Sequence, residues 1–138
     1  MTDLERARAV FGKDNFAVST GCVIELAEIG HAKCSLALET RHRNALGNPM
    51  GGAVFTLADY AFAVASNFDR DVYVSTSADV HFLSAAKGST LLAEAEEIRC
   101  GRRTCLYGVT VTDELGTQVA YLTIAGMLVQ KRRPKEKG

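Results

Sequence analysis

With 138 residues, 47% of them hydrophobic and 23% charged, the chain has the length and apolar content of one globular domain with an ordinary core, which excludes a disordered polymer. Sixteen basic residues balance sixteen acidic ones, so no overall positive charge draws it to nucleic acid. It has neither an apolar run long enough to span a bilayer nor a charged-then-apolar leader at its start, so no membrane partner is expected and the expected location is the cytoplasm.

The charge balance hides an asymmetry. Residues 131–138 hold Lys131, Arg132, Arg133, Lys135 and Lys137 against Glu136, a net +4, so residues 1–130 carry a net −4. Terminal and uniformly basic, this stretch reads as a frayed, solvated tail behind one continuous domain over residues 1–130.

In chain order, Thr2 and Glu5 form a capping box ahead of Leu4, Ala7, Val10 and Phe11 at helical spacing, which predicts a short helix over about residues 3–12. A strand follows at 22–27, then a turn near Gly30. Beyond it Ala32, Cys34, Leu36 and Leu38 alternate with Lys33, Ser35 and Glu39, the period of a half-buried strand paired with its predecessor as a hairpin. A turn-rich loop over 44–50 leads through Gly51 and Gly52 into a very apolar helix of roughly 17 residues, long enough at about 25 Å to lie across a four- or five-stranded sheet. Val54, Leu57, Ala58, Ala61, Val64, Ala65 and Phe68 make its apolar face, widened by Phe55 and Phe62. The opposite stripe is Thr56, Asp59, Tyr60, Ala63, Ser66 and Asn67. Four further strands are predicted at 72–83, 91–98, 104–112 and 119–129, the first with Ser75, Ser77, Asp79 and His81 on one face. Two strands, one long helix and four strands define an α+β domain.

Cys22, Cys34, Cys100 and Cys105 fall in strands or at their ends and read as buried thiols. The gap between Cys100 and Cys105 looks like a hairpin turn, and His31, His42 and His81 show no ligand spacing, so each is taken as a surface or strand histidine and no metal is expected.

Helical pattern alone reads Asp59 as an acid on an exposed face. The loop ahead of it points elsewhere. Glycines at a helix start leave the first amides clear of side chains, and those amides have no partner inside the helix, so they can polarise an oxygen brought close to them. With a carboxylate about two turns further on, this is an acyl-transfer site in outline.

Asn44, the glycine pair Gly51 and Gly52 behind Met50, and the segment Leu57, Ala58, Asp59, Tyr60, Ala61 together resemble the signature of the hotdog-fold acyl-CoA thioesterases, the phenylacetate-pathway type in particular. The resemblance spans about residues 20–129 and implies a long helix enclosed by a curved antiparallel sheet. It implies Asp59 as general base or nucleophile on the thioester carbonyl, the Gly51 amide as oxyanion donor, Asn44 as the group orienting water or thioester, and Ser75 close to the carboxylate from across a subunit interface. Gly52 and Ser77 are candidate substrate contacts, and Arg102 and Arg103 are candidates for the coenzyme A phosphates, although arginines in a turn are usually only solvated.

One departure from the family pattern matters. Met50 stands where the family most often has histidine, which removes any mechanism that needs an imidazole there and leaves Met50 as a candidate wall of the acyl pocket. Hotdog hydratases use a histidine with an acid, so that reading ranks low. The alternative is an acyl-CoA-binding module that does not cleave its ligand. An isolated sheet would expose its edge strands, so a homodimer is the minimum assembly, and the resemblance adds that two dimers often form a homotetramer. No cofactor is implied beyond the coenzyme A of the substrate.

Overall fold

The computed structural model describes residues 1–132. Its elements run α1 (Asp3–Phe11), α2 (Asn15–Thr20), β1 (Cys22–Glu28), β2 (His31–Ala37), a 3-10 turn (Thr40–His42), α3 (Gly51–Asn67), β3 (Val72–Phe82), β4 (Thr90–Cys100), β5 (Thr104–Asp113) and β6 (Gln118–Gln130). The strands form one antiparallel sheet of six, in the order β1-β2-β4-β5-β6-β3. All six strands read from the sequence are present, and β3 crosses the domain after α3 to pair with β6 at the far edge.

The sheet closes around α3, which touches all six strands. Small residues make this possible. Ala58, Ala61 and Ala65 are fully buried and keep the helix slim, while Leu57, Val54 and Val64 pack against Leu36, Leu91, Val109, Leu122 and Ile124 of the sheet. At the thickest point the Phe62 ring meets Tyr107 edge to face at 5.4 Å. Gly126 admits that ring, since a Cβ there would come within 2.9 Å of both Phe62 and the Cys105 sulfur. Apolar burial of this extent is the main stabilising contribution, at roughly 1.5–3 kcal/mol for each large side chain.

The structure departs from the sequence reading at several points. A second helix, α2, follows α1, ending at Gly21 with φ +109°. Together α1 and α2 cover the far side of α3, so Tyr60 is buried although its position lies on the predicted polar stripe. Ser66 is buried as well, its hydroxyl donating to the Phe62 carbonyl at 2.7 Å. Phe55, expected on the apolar face, is instead 37% exposed. His42 is buried rather than superficial, with its Nε2 donating to the Thr20 carbonyl at 2.6 Å and its Nδ1 accepting from the Glu39 amide at 2.9 Å.

The single face expected for Ser75, Ser77, Asp79 and His81 is also corrected. The β3–β6 register slips between Ser75, opposite Gly126, and Ser77, opposite Ala125. A bulge at Thr76 therefore turns Ser75 to the helix side of the sheet, with Gly126, and leaves Ser77, Asp79 and His81 on the outer side. At the C-terminal end Arg132 is docked rather than frayed: its amide donates to Asp71 at 2.8 Å and its guanidinium to Asp69 at 3.1 Å. Residues 133–138 of the expected tail lie outside the described residues. None of the helices described is long and apolar enough to cross a membrane.

Candidate active site

The start of α3 is set by a chain of polar contacts. Buried His42 fixes the 3-10 turn, and its carbonyl accepts the Met50 amide at 2.7 Å. Between them the loop folds on Asn44, whose Oδ1 accepts the amides of Leu46 and Asn48 at 2.9 and 3.1 Å, while its own amide donates to the Asn48 carbonyl at 2.7 Å. With that oxygen engaged, the part of the Asn44 side chain available to a substrate or water is its Nδ2 donor.

Gly51 and Gly52 then open the helix, and among the described residues their amides donate to nothing. Met50 precedes them without a side-chain cap. Beside Gly51 lies a cavity of about 390 Å³ lined by Pro49, Val54, Phe82, Leu83, Ala86 and Val119 among others, with no charged side chain. A free Gly51 amide beside an apolar groove is suited to holding a carbonyl oxygen whose apolar substituent lies alongside.

Asp59 opens on a different cavity, of about 650 Å³, lined with Lys13, Asp14, Phe16, Phe55, Thr56 and Tyr60. No hydrogen bond or ion pair among the described residues takes its carboxylate. Burial pushes its proton affinity up from the ordinary aspartate value, and the charge of Asp14 adds to the effect. An acid shifted this way titrates closer to neutral pH, where general-base catalysis is most efficient.

Asp59 lies eight positions along the helix from Gly51, about 12 Å along the axis. Both groups would have to lie within about 3 Å of one thioester. Within one chain they cannot meet on the same substrate.

The other expected residues are dispersed too. Ser75 lies on β3, exposed, and lines neither cavity, and the same is true of Ser77. Met50 is 48% exposed and also lines neither. Arg102 and Arg103 are exposed in the β4–β5 turn, where the Arg103 carbonyl accepts the Leu128 amide at 2.7 Å. Sequence reasoning missed α2 and with it Asp14, the residue the structure does bring beside Asp59. A polar residue ahead of a short segment ended by Gly21 was the available signal.

Among the described residues one grouping could offer three ligand atoms to a metal: His31, Glu94 and Glu96, within 4.8 Å of one another. It lies on the sheet, away from both cavities, and His31 is already engaged, its Nε2 lying 2.6 Å from Glu94 and its Nδ1 3.4 Å from Glu28. Pairing of β2 with β4 joins His31 to Glu94 and Glu96 across 63 and 65 positions, which is why no sequence spacing revealed them.

Comparison with known proteins places the chain. It is 28% identical to the acyl-coenzyme A thioesterase PaaI of Escherichia coli K12 over 84% of either chain. The structure of the E. coli PaaI protein from the phenylacetic acid degradation operon superposes with a TM-score of 0.87, covering 94% of each chain at 25% identity. A hypothetical thioesterase of Streptococcus pneumoniae TIGR4, solved with coenzyme A, follows at a TM-score of 0.83 and 26% identity, covering 91% of this chain and 99% of that one. The long helix within a curved antiparallel sheet is thus the hotdog fold. The thioesterase superfamily matches residues 46–120, from the loop before Gly51 through α3 to the start of β6, and this chain belongs to that family.

Proposed function

We propose that the protein hydrolyses acyl-CoA thioesters at a site shared between two subunits. The observation that carries the reading is the pair of unengaged groups on one helix, the Gly51 amide and the Asp59 carboxylate. They are too far apart to act together within a chain and correctly typed to act together across two. Membership of the thioesterase superfamily, an acyl-CoA thioesterase among the relatives and coenzyme A in a related structure support the substrate class.

In this reading the thioester oxygen accepts a hydrogen bond from the Gly51 amide of one subunit. Asp59 of the partner subunit removes a proton from water as the water oxygen adds to the carbonyl carbon, and the negative charge gathers on the oxygen held by Gly51. Collapse breaks the C–S bond, and the departing thiolate takes up the proton. As a nucleophile, the same carboxylate would form a mixed anhydride that water then opens. Asn44 Nδ2 and Ser75 are the remaining polar groups assigned to this site, with Gly52, Met50 and Ser77 as substrate contacts and Arg102 and Arg103 for the phosphates. The charge-free groove beside Gly51 suits an aromatic or a short to medium straight-chain acyl group.

A homodimer is the minimum assembly on this reading, and pairing of two dimers gives a homotetramer. The outer edge of β3 has no partner strand among the described residues, and β3 carries exposed Val72, Val74 and Phe82, which supports a subunit contact there.

Release of free thiol from a panel of aromatic and straight-chain acyl-CoA esters tests the reading, with Asp59→Asn alongside. Cleavage by the wild type and not by the variant is expected. Tight binding of acyl-CoA without cleavage by either would make the protein a binding module instead.

A further inference from the structure

The Phe11 carbonyl, at the end of α1, accepts two hydrogen bonds: from the Tyr60 hydroxyl at 2.9 Å and from the Asp14 amide at 3.0 Å. Tyr60 follows Asp59 directly on α3. One oxygen thus ties the backbone of Asp14 to the helix turn that carries Asp59, and the two carboxylates line the same cavity.

Asp14 is the N-cap of α2, where an aspartate ordinarily spends its side chain on the helix amides. Here it makes no such cap. Nor does any other group among the described residues hydrogen-bond or form an ion pair with its carboxylate. Its carboxylate is therefore unengaged although a conventional use lies next to it.

We propose that Asp14 is a positioning residue of this site: the Phe11 carbonyl holds its backbone against the helix turn that carries Asp59, the two carboxylates share one cavity, and the two acids work as a pair. The inference rests on Asp59 being the carboxylate of the reaction. A second negative charge across the cavity opposes ionisation of Asp59 and keeps it proton-hungry at neutral pH. Asp59 is displaced upward by burial first and by Asp14 second, and Asp14 is itself displaced upward by partial burial. The other charged group at this cavity is Lys13, which forms an ion pair with neither acid. From α3 the cavity receives Phe55, Thr56, Tyr60 and Ala63, none of them charged at neutral pH, and from α2 it receives Asn15, Phe16 and Ala17.

The test is Asp14→Asn, a change that keeps a good N-cap residue and removes only the charge. Two readouts are needed: kcat/KM against pH with an acyl-CoA substrate, and the carboxyl-carbon NMR titration of Asp59 without substrate. The variant is expected to shift both midpoints to lower pH, raising kcat/KM on the acid limb about two- to threefold relative to the plateau, as removal of a nearby unit charge in a water-like medium requires. Added salt should move the wild type toward the variant and leave the variant nearly unmoved. Coincident NMR titrations in the two proteins would overturn the pairing, because a merely structural Asp14 would not move them. A shifted titration with no thioester cleavage by either protein would retain the pairing and overturn the hydrolase reading.

Discussion

The ring of Phe82 occupies the space a side chain on Gly51 would need: a Cβ on that glycine would come within 3.0 Å of the ring's far end. The end of β3 and the start of α3 are thus fitted to each other around a free amide. Gly51→Ala would push the flexible, exposed ring aside and crowd the approach to that amide. Thioester cleavage should fall about 10²-fold or more, the scale of losing an oxyanion donor, with the thermal midpoint little changed. Activity equal to the wild type would remove the amide from the mechanism.

Gly52 presents the opposite case. Nothing lies within 4 Å of a Cβ placed there, and its backbone is helical, so the fold itself does not require glycine. Gly52→Ala should stabilise the protein by about 0.5 kcal/mol by restricting the unfolded chain. A urea midpoint that falls instead would contradict this.

Asp59→Asn should lower kcat by at least about 10²-fold, within the range of general-base loss, while raising stability at pH 7. The sign follows from its upward displacement. Below the unfolded value both states hold the proton and Asp59 contributes no difference. As pH rises past that value the unfolded chain ionises first, so the native state loses ground until pH passes the folded value. Removing the charge removes that loss. Denaturant midpoints at pH 7 and pH 3 should show a gain at pH 7 that shrinks at pH 3, and a variant less stable at pH 7 would refute the account.

Asp113 should behave with the reverse sign. It is buried, and its two oxygens accept the amides of Lys87 and Gly88 at 2.8 and 2.9 Å and of Leu115 and Thr117 at 3.0 and 2.8 Å. Burial by itself would raise its proton affinity, but the amides of Gly88, Thr117 and Lys87 outweigh it and hold the carboxyl well below the usual carboxylate range. Its contribution is present above the unfolded value and lost as pH falls toward the folded one. Asp113→Asn should lower the thermal midpoint at pH 7, with the gap narrowing in acid. A constant gap across pH would mean that the carboxylate charge plays no part.

What the sequence made legible was local. Thr2 does accept the Glu5 amide at 3.1 Å, and α3 begins at Gly51 and runs 17 residues as its apolar period demanded. The seven residues read as its buried face are all buried. What it hid depends on distant partners. Tyr60 looks solvent-facing until α1 and α2 fold over it, and the face of Ser75 depends on a bulge that only pairing with β6 reveals. Gly51 and Asp59 stood out as candidates by type and spacing, yet the same spacing, as helix, sets them about 12 Å apart. The pairing of Asp14 with Asp59 had no local sign, because an N-cap aspartate that does not cap looks like any other.

The Tyr60 hydroxyl offers a way to probe that cover directly. Tyr60 is buried and donates to a carbonyl 49 positions away, so Tyr60→Phe keeps the ring packing and removes one hydrogen bond. The Phe11 carbonyl still has the Asp14 amide, which limits the cost to about 1 kcal/mol. The loss should be local: α1 and α2 would open more often, whereas β4 and β5 would not. Hydrogen exchange resolves the two, with faster exchange expected at the α2 amides and unchanged protection in the central strands. Uniform acceleration across the sheet would show instead that the N-terminal helices unfold only with the whole domain, and that the cover over Asp59 is part of the core.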